Sequence, residues 1–174
     1  MMLLLKQATR YVLIFPLLEN SIYICIKRLK LSALSKKQGV DIMLTYAVFS
    51  DKGDRSYNED STYAVATENK GCFALADGLG GQGKGDVASK FVVEEVKKKY
   101  DQKRKKCLEK FITDMVSECQ RDLMEVKGQE DITEDMMTTL VVLLVDDNQV
   151  SWGHVGDSRL YHFSDGKIVE RTKD

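Results

Sequence analysis

"ALADGLGGQGKGDVASKF", residues Ala74–Phe91, is the stretch on which the fold turns. It opens as an apolar run, ends that run in Asp77, passes through a glycine-rich loop and resumes with helical spacing. Gly78, Gly80 and Gly83 satisfy the dinucleotide pattern G-x-G-x-x-G. Gly78, Gly83 and Lys84 fill all but the last position of a P-loop, G-x-x-x-x-G-K-[ST]. Both patterns cradle phosphate with backbone N–H groups. Asp77 argues against both, because a carboxylate at the strand end repels phosphate and attracts cations.

"LVVLLVDD", Leu140–Asp147, adds a second coincidence, an apolar strand ending in Asp146 like a Walker B element. Position 85 is Gly, however, so the hydroxyl that a P-loop offers to Mg²⁺ is missing. The neighbouring segments also disagree. Nucleotide folds repeat parallel βαβ units, whereas tight turns between strands force antiparallel pairing.

Those turns recur along the chain. A strand runs from about Leu44 to Ser50, "STYAVAT" (61–67) follows, then the turn "ENKG" and a third strand "CFALAD" (72–77). The three read as an antiparallel meander. Helical spacing then predicts a helix over about 85–100, with Val87, Ala88, Phe91, Val92, Val96 and Tyr100 on one face. A cleaner helix carries Leu108, Phe111, Ile112, Met115, Val116, Cys119, Leu123 and Val126, and Gly128 stops it. "GQEDITED" reads as loop. Three further strand segments close the sequence, with hairpin turns at "DDNQ" and "SDGK".

Charge divides the chain in two. Residues 1–43 hold seven Lys/Arg against two Asp/Glu, and residues 44–174 hold nineteen against twenty-five. The overall net charge of −1 provides no field that would draw the protein to nucleic acid or anionic membrane. "KKKYDQKRKK" (97–106) reads as a solvated helix end, with Tyr100 its one aromatic residue. The apolar run Tyr11–Ile26 is 16 residues long and contains Pro16, Glu19 and Asn20. A spanning helix needs about 20 apolar residues, so the run argues against a membrane anchor. Residues 1–42 read as an N-terminal extension outside the domain, which begins at Met43 and occupies 43–174. Cys25, Cys72, Cys107 and Cys119 form no C-x-x-C, and Cys107 and Cys119 fall on one helical face. Free thiols in a reducing, cytoplasmic compartment are the expectation.

A metal site needs further hard oxygen ligands near Asp77. "DRSYNED" supplies Glu59 and Asp60 at the entry of the second strand, with Arg55 just before them. If the second and third strands pair, Asp60 and Asp77 meet at one sheet end. Carboxylates gathered there repel each other unless a cation neutralises them. Gly78 can offer its carbonyl unobstructed, and Arg55 has the fork that suits a phosphate. Asp157 in "VGDSR" ends a strand in the same way. Other polar residues read as structural: Asp51 and Asp54 as turn formers, Asp146 and Asp147 as hairpin residues, Arg159 as a partner of nearby carboxylates. His154, His162 and Trp152 read as parts of the sheets.

These stretches, "DKGDRSYNED", "FALADGLGGQGKGDVAS", "MTTLVVLLVDDNQVSWGHVGDSRLY" and "GKIVERTKD", stand in one order with two helices between the second and third. In that order the chain resembles the PPM family of metal-dependent protein Ser/Thr phosphatases, also called protein phosphatase 2C. The resemblance implies an α+β fold, a β-sandwich of two antiparallel sheets flanked by helices. It implies two Mn²⁺ or Mg²⁺ ions bridged by Asp77, with the Gly78 carbonyl as a ligand and Glu59 and Asp60 holding metal directly or through water. Asp157 matches an acid of a third metal site, and Arg55 matches the residue that grips the substrate phosphate. Phosphorylated Ser/Thr proteins are the implied partners, opposed by a Ser/Thr kinase. Two departures stand out. Leu79 occupies the place where animal members often carry His, as in bacterial members. The family's later metal-binding aspartates fall beyond Asp174, so the chain reads as the N-terminal part of the domain. A catalytically inactive relative that binds phosphoproteins is the alternative expectation.

Overall fold

The structure, a computed structural model, describes residues 9–15, 21–29, 44–79, 84–102, 107–129, 136–147 and 149–173, the first two segments through their backbone. The glycine loop at 80–83, the basic residues 103–106 and most of the acidic link lie outside them.

Four strands form one antiparallel sheet in sequence order: β4 (Asp60–Ala66), β5 (Lys70–Asp77), β6 (Leu140–Asp146) and β7 (Gln149–Val155). Helices α1 (Gly85–Asp101) and α2 (Leu108–Gln129) are inserted between β5 and β6. β5 and β6 are continuous apolar runs because both of their faces are covered. Cys72, Ala74, Val142 and Leu144 pack toward Ala88, Val92, Val96, Ile112 and Met115 of the helices. Phe73, Leu75, Val141, Leu143 and Val145 point the other way, to Leu44 and Leu160. The period-two alternation of a strand thus feeds two separate cores.

The second sheet has the order β3-β2-β1-β8-β9, built from β1 (Thr9–Phe15), β2 (Ser21–Leu29), β3 (Leu44–Asp51), β8 (Arg159–Ser164) and β9 (Lys167–Arg171). Two antiparallel sheets with helices against one outer face are the α+β sandwich expected. Tyr46 of β3 meets Phe73 of β5 edge to face, with ring centroids 5.4 Å apart, and so ties the sheets together. The β8–β9 turn places Asp165 and Gly166 at φ 52° and 77°, the two positive values that a type I′ hairpin requires.

The structure differs from the sequence reading in four places. β3 does not join β4 in a meander; it pairs with β2 in the other sheet. The chain from 52 to 59 is too long for a two-residue turn and crosses between sheets instead. Residues 1–42, set apart by their composition, supply β1 and β2, which pair with β8 and β3. Their apolar runs suit strands of 7 and 9 residues. On α1 the buried face is turned by a residue or two: Val87 is exposed, whereas Ser89 and Val93 are buried. Cys107 is exposed just before α2 and does not share the buried face of Cys119. Among the described residues no helix is long and apolar enough to cross a membrane.

Candidate metal centre

β4 and β5 pair so that Asp60 lies directly opposite Asp77, the last rung of the hairpin. Register alone dictates the meeting, since Ala66 pairs with Gly71 at the other end of the same ladder. The two carboxyl groups lie close enough for each to act on the ionisation of the other. Burial, then the charge of Asp77, pushes the Asp60 carboxyl well above the usual carboxylate range. Burial also raises Asp77; the hydrogen bond from Asp60 and the charge of Arg55 pull it back, and the charge of Asp157 adds to the rise. One proton held between the two carboxyl groups relieves their repulsion. Two carboxylates this close do not both ionise without a cation.

Glu59 precedes Asp60 and is 5% exposed. One of its oxygens, Oε2, accepts a 2.6 Å hydrogen bond from Nη1 of Arg55, whose side chain is 46% exposed. The other, Oε1, is buried without a partner, and so is Oδ1 of Asp60. Among the described residues these are the two buried side-chain polar atoms left unsatisfied. Native folds rarely tolerate such atoms without a ligand, water or ion. The donor set is carboxylate and carbonyl oxygen, the chemistry of Mg²⁺ and Mn²⁺, and it fits a divalent cation.

The backbone around these acids is held closely. Asp51 Oδ1 accepts from the Gly53 amide at 2.8 Å, so Asp51 forms the turn expected of it. Asn58 Oδ1 accepts from the Asp60 amide at 3.0 Å, which fixes the entry of β4. Asp77 is gripped by the start of β6. Its amide donates to Thr139 Oγ1 at 3.0 Å, and its carbonyl accepts from the Thr139 amide at 2.9 Å and Thr138 Oγ1 at 3.0 Å. Gly78 donates its amide to the Glu59 carbonyl at 3.1 Å. A Cβ at Gly78 would lie 2.3 Å from the Gly85 carbonyl oxygen and 2.6 Å from that of Glu59. Only glycine lets the first turn of α1 and the β4 entry close on this point, which explains Gly78 and Gly85 without any nucleotide.

The structure therefore gathers Arg55, Glu59, Asp60, Asp77 and Gly78 at one end of the β4–β5 hairpin. Asp157 lies exposed on the β7–β8 loop, close enough for its charge to act on Asp77. Among the described residues no three His, Cys, Asp or Glu side chains close into a cage, because the arrangement is a buried acid pair with flanking groups. His154 is occupied away from the acids, with Nε2 2.9 Å from the Lys173 carbonyl. The sequence reading missed the hydroxyls. Thr138 and Thr139 brace Asp77, and Ser158, fully buried beside Asp157, lies 2.7 Å from Thr139 Oγ1. Ser89, also fully buried, touches the Glu59 carbonyl. The available signal was a small polar residue at a position the apolar pattern assigns to the core.

Comparison with known proteins points the same way. Residues 50–174 match the protein phosphatase 2C family. The serine/threonine protein phosphatase PstP of Mycobacterium tuberculosis is 36% identical over 136 residues, which are 78% of this chain and 26% of that protein. The serine/threonine phosphatase stp of Listeria monocytogenes is 28% identical over 131 residues, 72% of this chain and 52% of that protein. The chain thus spans about a quarter to a half of the length of these relatives. No solved structure matches it.

Proposed function

The chain belongs to the protein phosphatase 2C family, and on that premise we propose that it serves the hydrolysis of phosphoserine and phosphothreonine in proteins. The observation that carries this reading is the Asp60–Asp77 pair, buried at a sheet end beside two unsatisfied carboxylate oxygens. Asp60, Asp77, Glu59 and the Gly78 carbonyl would hold two Mn²⁺ or Mg²⁺ ions, with Asp157 contributing to a third. When bound, such ions make water a nucleophile near neutral pH and neutralise charge on phosphoryl oxygens.

The chain's own residues do the rest. Arg55 presents a planar guanidinium at the rim, one arm held by Glu59 and the remainder toward solvent, where it suits the fork of a phosphate. The proton shared by Asp60 and Asp77 must leave before both acids serve as ligands, which ties activity to pH. Water attacks phosphorus in line, the P–O bond to the serine or threonine oxygen breaks, and that oxygen takes up a proton. Leu79, 52% exposed beside Gly78, has no proton to give, so solvent supplies it. A phosphoprotein substrate requires a Ser/Thr kinase as the opposing enzyme. Cys72, Cys107 and Cys119 form no disulfide among the described residues, which supports a reducing, cytoplasmic setting.

Hydrolysis of a phosphothreonine peptide in Mn²⁺ tests the reading. EDTA and Asp77→Asn should each abolish it. Undiminished turnover by the Asp77→Asn protein would defeat the assignment.

A further inference from the structure

Ser89 breaks the pattern of its helix. Gly85, Ala88, Val92, Val93 and Val96 make the buried face of α1 small or apolar, yet Ser89 lies among them with no exposed surface. Its hydroxyl faces three oxygens: the Glu59 carbonyl at 2.6 Å, Ser61 Oγ at 3.0 Å and the Asp86 carbonyl at 3.2 Å. A hydroxyl has one hydrogen and two acceptor lone pairs. The shortest contact takes the hydrogen, so Ser89 donates to Glu59, and Ser61 then donates to Ser89.

The Glu59 carbonyl thereby accepts two hydrogen bonds, from Ser89 on α1 and from the Gly78 amide at the end of β5. This carbonyl belongs to the peptide bond between Glu59 and Asp60, and the amide of the same peptide donates to Asn58 Oδ1. Every polar group of that one peptide unit is tied, each to a different element. The side chains on either side of it carry the two unsatisfied buried oxygens, Glu59 Oε1 and Asp60 Oδ1. An apolar residue at position 89 would serve the core of α1 equally well but would remove the shortest of the three bonds that hold the peptide.

We propose that Ser89 is a positioning residue for cation binding, its hydroxyl holding the Glu59–Asp60 peptide so that both carboxyl groups face one site. The proposal rests on the metal-dependent reading above. Ser89 touches neither substrate nor metal; it acts through Glu59 and Asp60. Ser61 provides the contrast, since it reaches the peptide only through Ser89.

Mn²⁺ affinity, followed by the electron paramagnetic resonance of the free ion, tests this on the full chain. Ser89→Ala should weaken Mn²⁺ binding on the order of 10–100-fold, the usual cost of removing a group that orients a ligand. It should keep a cooperative melt in EDTA, and Ser61→Ala should stay within about threefold of the parent chain. In EDTA the Gly78 amide, which shares the carbonyl, should exchange with solvent about tenfold faster in Ser89→Ala. Ser89→Cys, which keeps the volume but donates weakly, serves the same comparison if the alanine variant does not fold. Unchanged Mn²⁺ affinity in Ser89→Ala overturns the proposal, and so does an equal loss in Ser61→Ala, which would mark a packing effect. Should the parent chain take up no Mn²⁺, the metal-dependent reading falls. Ser89 is then judged by exchange in EDTA alone, and an unchanged Gly78 rate overturns its role.

Discussion

At the seam between α1 and α2, three acids surround one lysine; at the end of the β4–β5 hairpin, three acids gather around one another, and the ion pair seen there is that of Arg55 with Glu59. Lys99 Nζ lies 2.9 Å from Asp122, 3.3 Å from Glu118 and 3.6 Å from Glu95. The hydrogen bond from Lys99 holds Asp122 below the usual carboxylate range. At the hairpin end, Arg55 reaches Glu59 and leaves Asp60 and Asp77 to share a proton. Burial holds both of those carboxyl groups above the usual range. The residue types are the same and the electrostatic outcomes opposite. One cluster carries its cation within the chain and glues two helices. The other leaves two buried carboxylate oxygens, Glu59 Oε1 and Asp60 Oδ1, unsatisfied among the described residues.

The largest test of that contrast removes a charge from each cluster in turn. Asp60→Asn should lower turnover of a phosphopeptide on the order of a thousandfold, several kcal/mol of lost transition-state stabilisation. Above pH 7 the same variant should melt higher than the parent chain in EDTA, because it relieves the repulsion of two ionised buried acids. A lower melt would show that the acid pair stabilises the fold and is not held under strain.

Next in size, Lys99→Met should cost about 1–2 kcal/mol of stability, less than for a fully buried pair because Glu118 is 44% exposed. Mn²⁺ affinity should not change. A matching loss of Mn²⁺ binding would mean that the two clusters are coupled through α1.

The smallest effect is a difference of sign with pH. Asp60 is raised to about 7, so its folded form binds a proton that the unfolded chain releases near pH 4. Its contribution is complete below that pH and is lost as pH rises through 7. Asp122 is lowered, so its contribution is complete above about pH 4 and is lost on acidification. Asp77 is raised as well and acts with the same sign, so in this comparison the acid pair, not Asp122, sets the slope between about pH 4 and 8. Metal-free melting temperature should therefore fall across that range, and saturating Mn²⁺ or Asp60→Asn should flatten the slope. A slope that survives Asp60→Asn would place its origin elsewhere.

Much of this arrangement was legible in the residues. The β4–β5 hairpin follows from two apolar runs around "ENKG", and the pairing of Asp60 with Asp77 follows from the hairpin. The α2 face was read correctly from Leu108 to Leu123, since seven apolar positions over four turns, six of them buried, leave little rotational freedom. The α1 face was not, because Val87 and Val93 compete for the same stripe and only contact with β4 and β5 chooses between them. The separation of β3 from β4 was invisible, because a strand's edge does not record which sheet it joins. The strands at 9–15 and 21–29 were set aside for their charge, whereas hydrogen-bonded pairing is made by the backbone and is indifferent to that sign.

The sequence by itself determined local things: strand and helix periods, the turn at Asp165-Gly166, and the acids that would be expensive to bury without a cation. It also singled out Gly78 for its open carbonyl and Gly85 as a break in the P-loop pattern. Only the tertiary structure decided that those two glycines let α1 close on the β4 entry. Only it made Ser89 a clamp on the Glu59 carbonyl, and it divided six carboxylates between a cluster satisfied by Lys99 and one left wanting. The reason is physical. A residue's periodicity is set by its neighbours along the chain, but the charge and hydrogen-bonding state of a buried group is set by whatever the fold brings within about 4 Å of it.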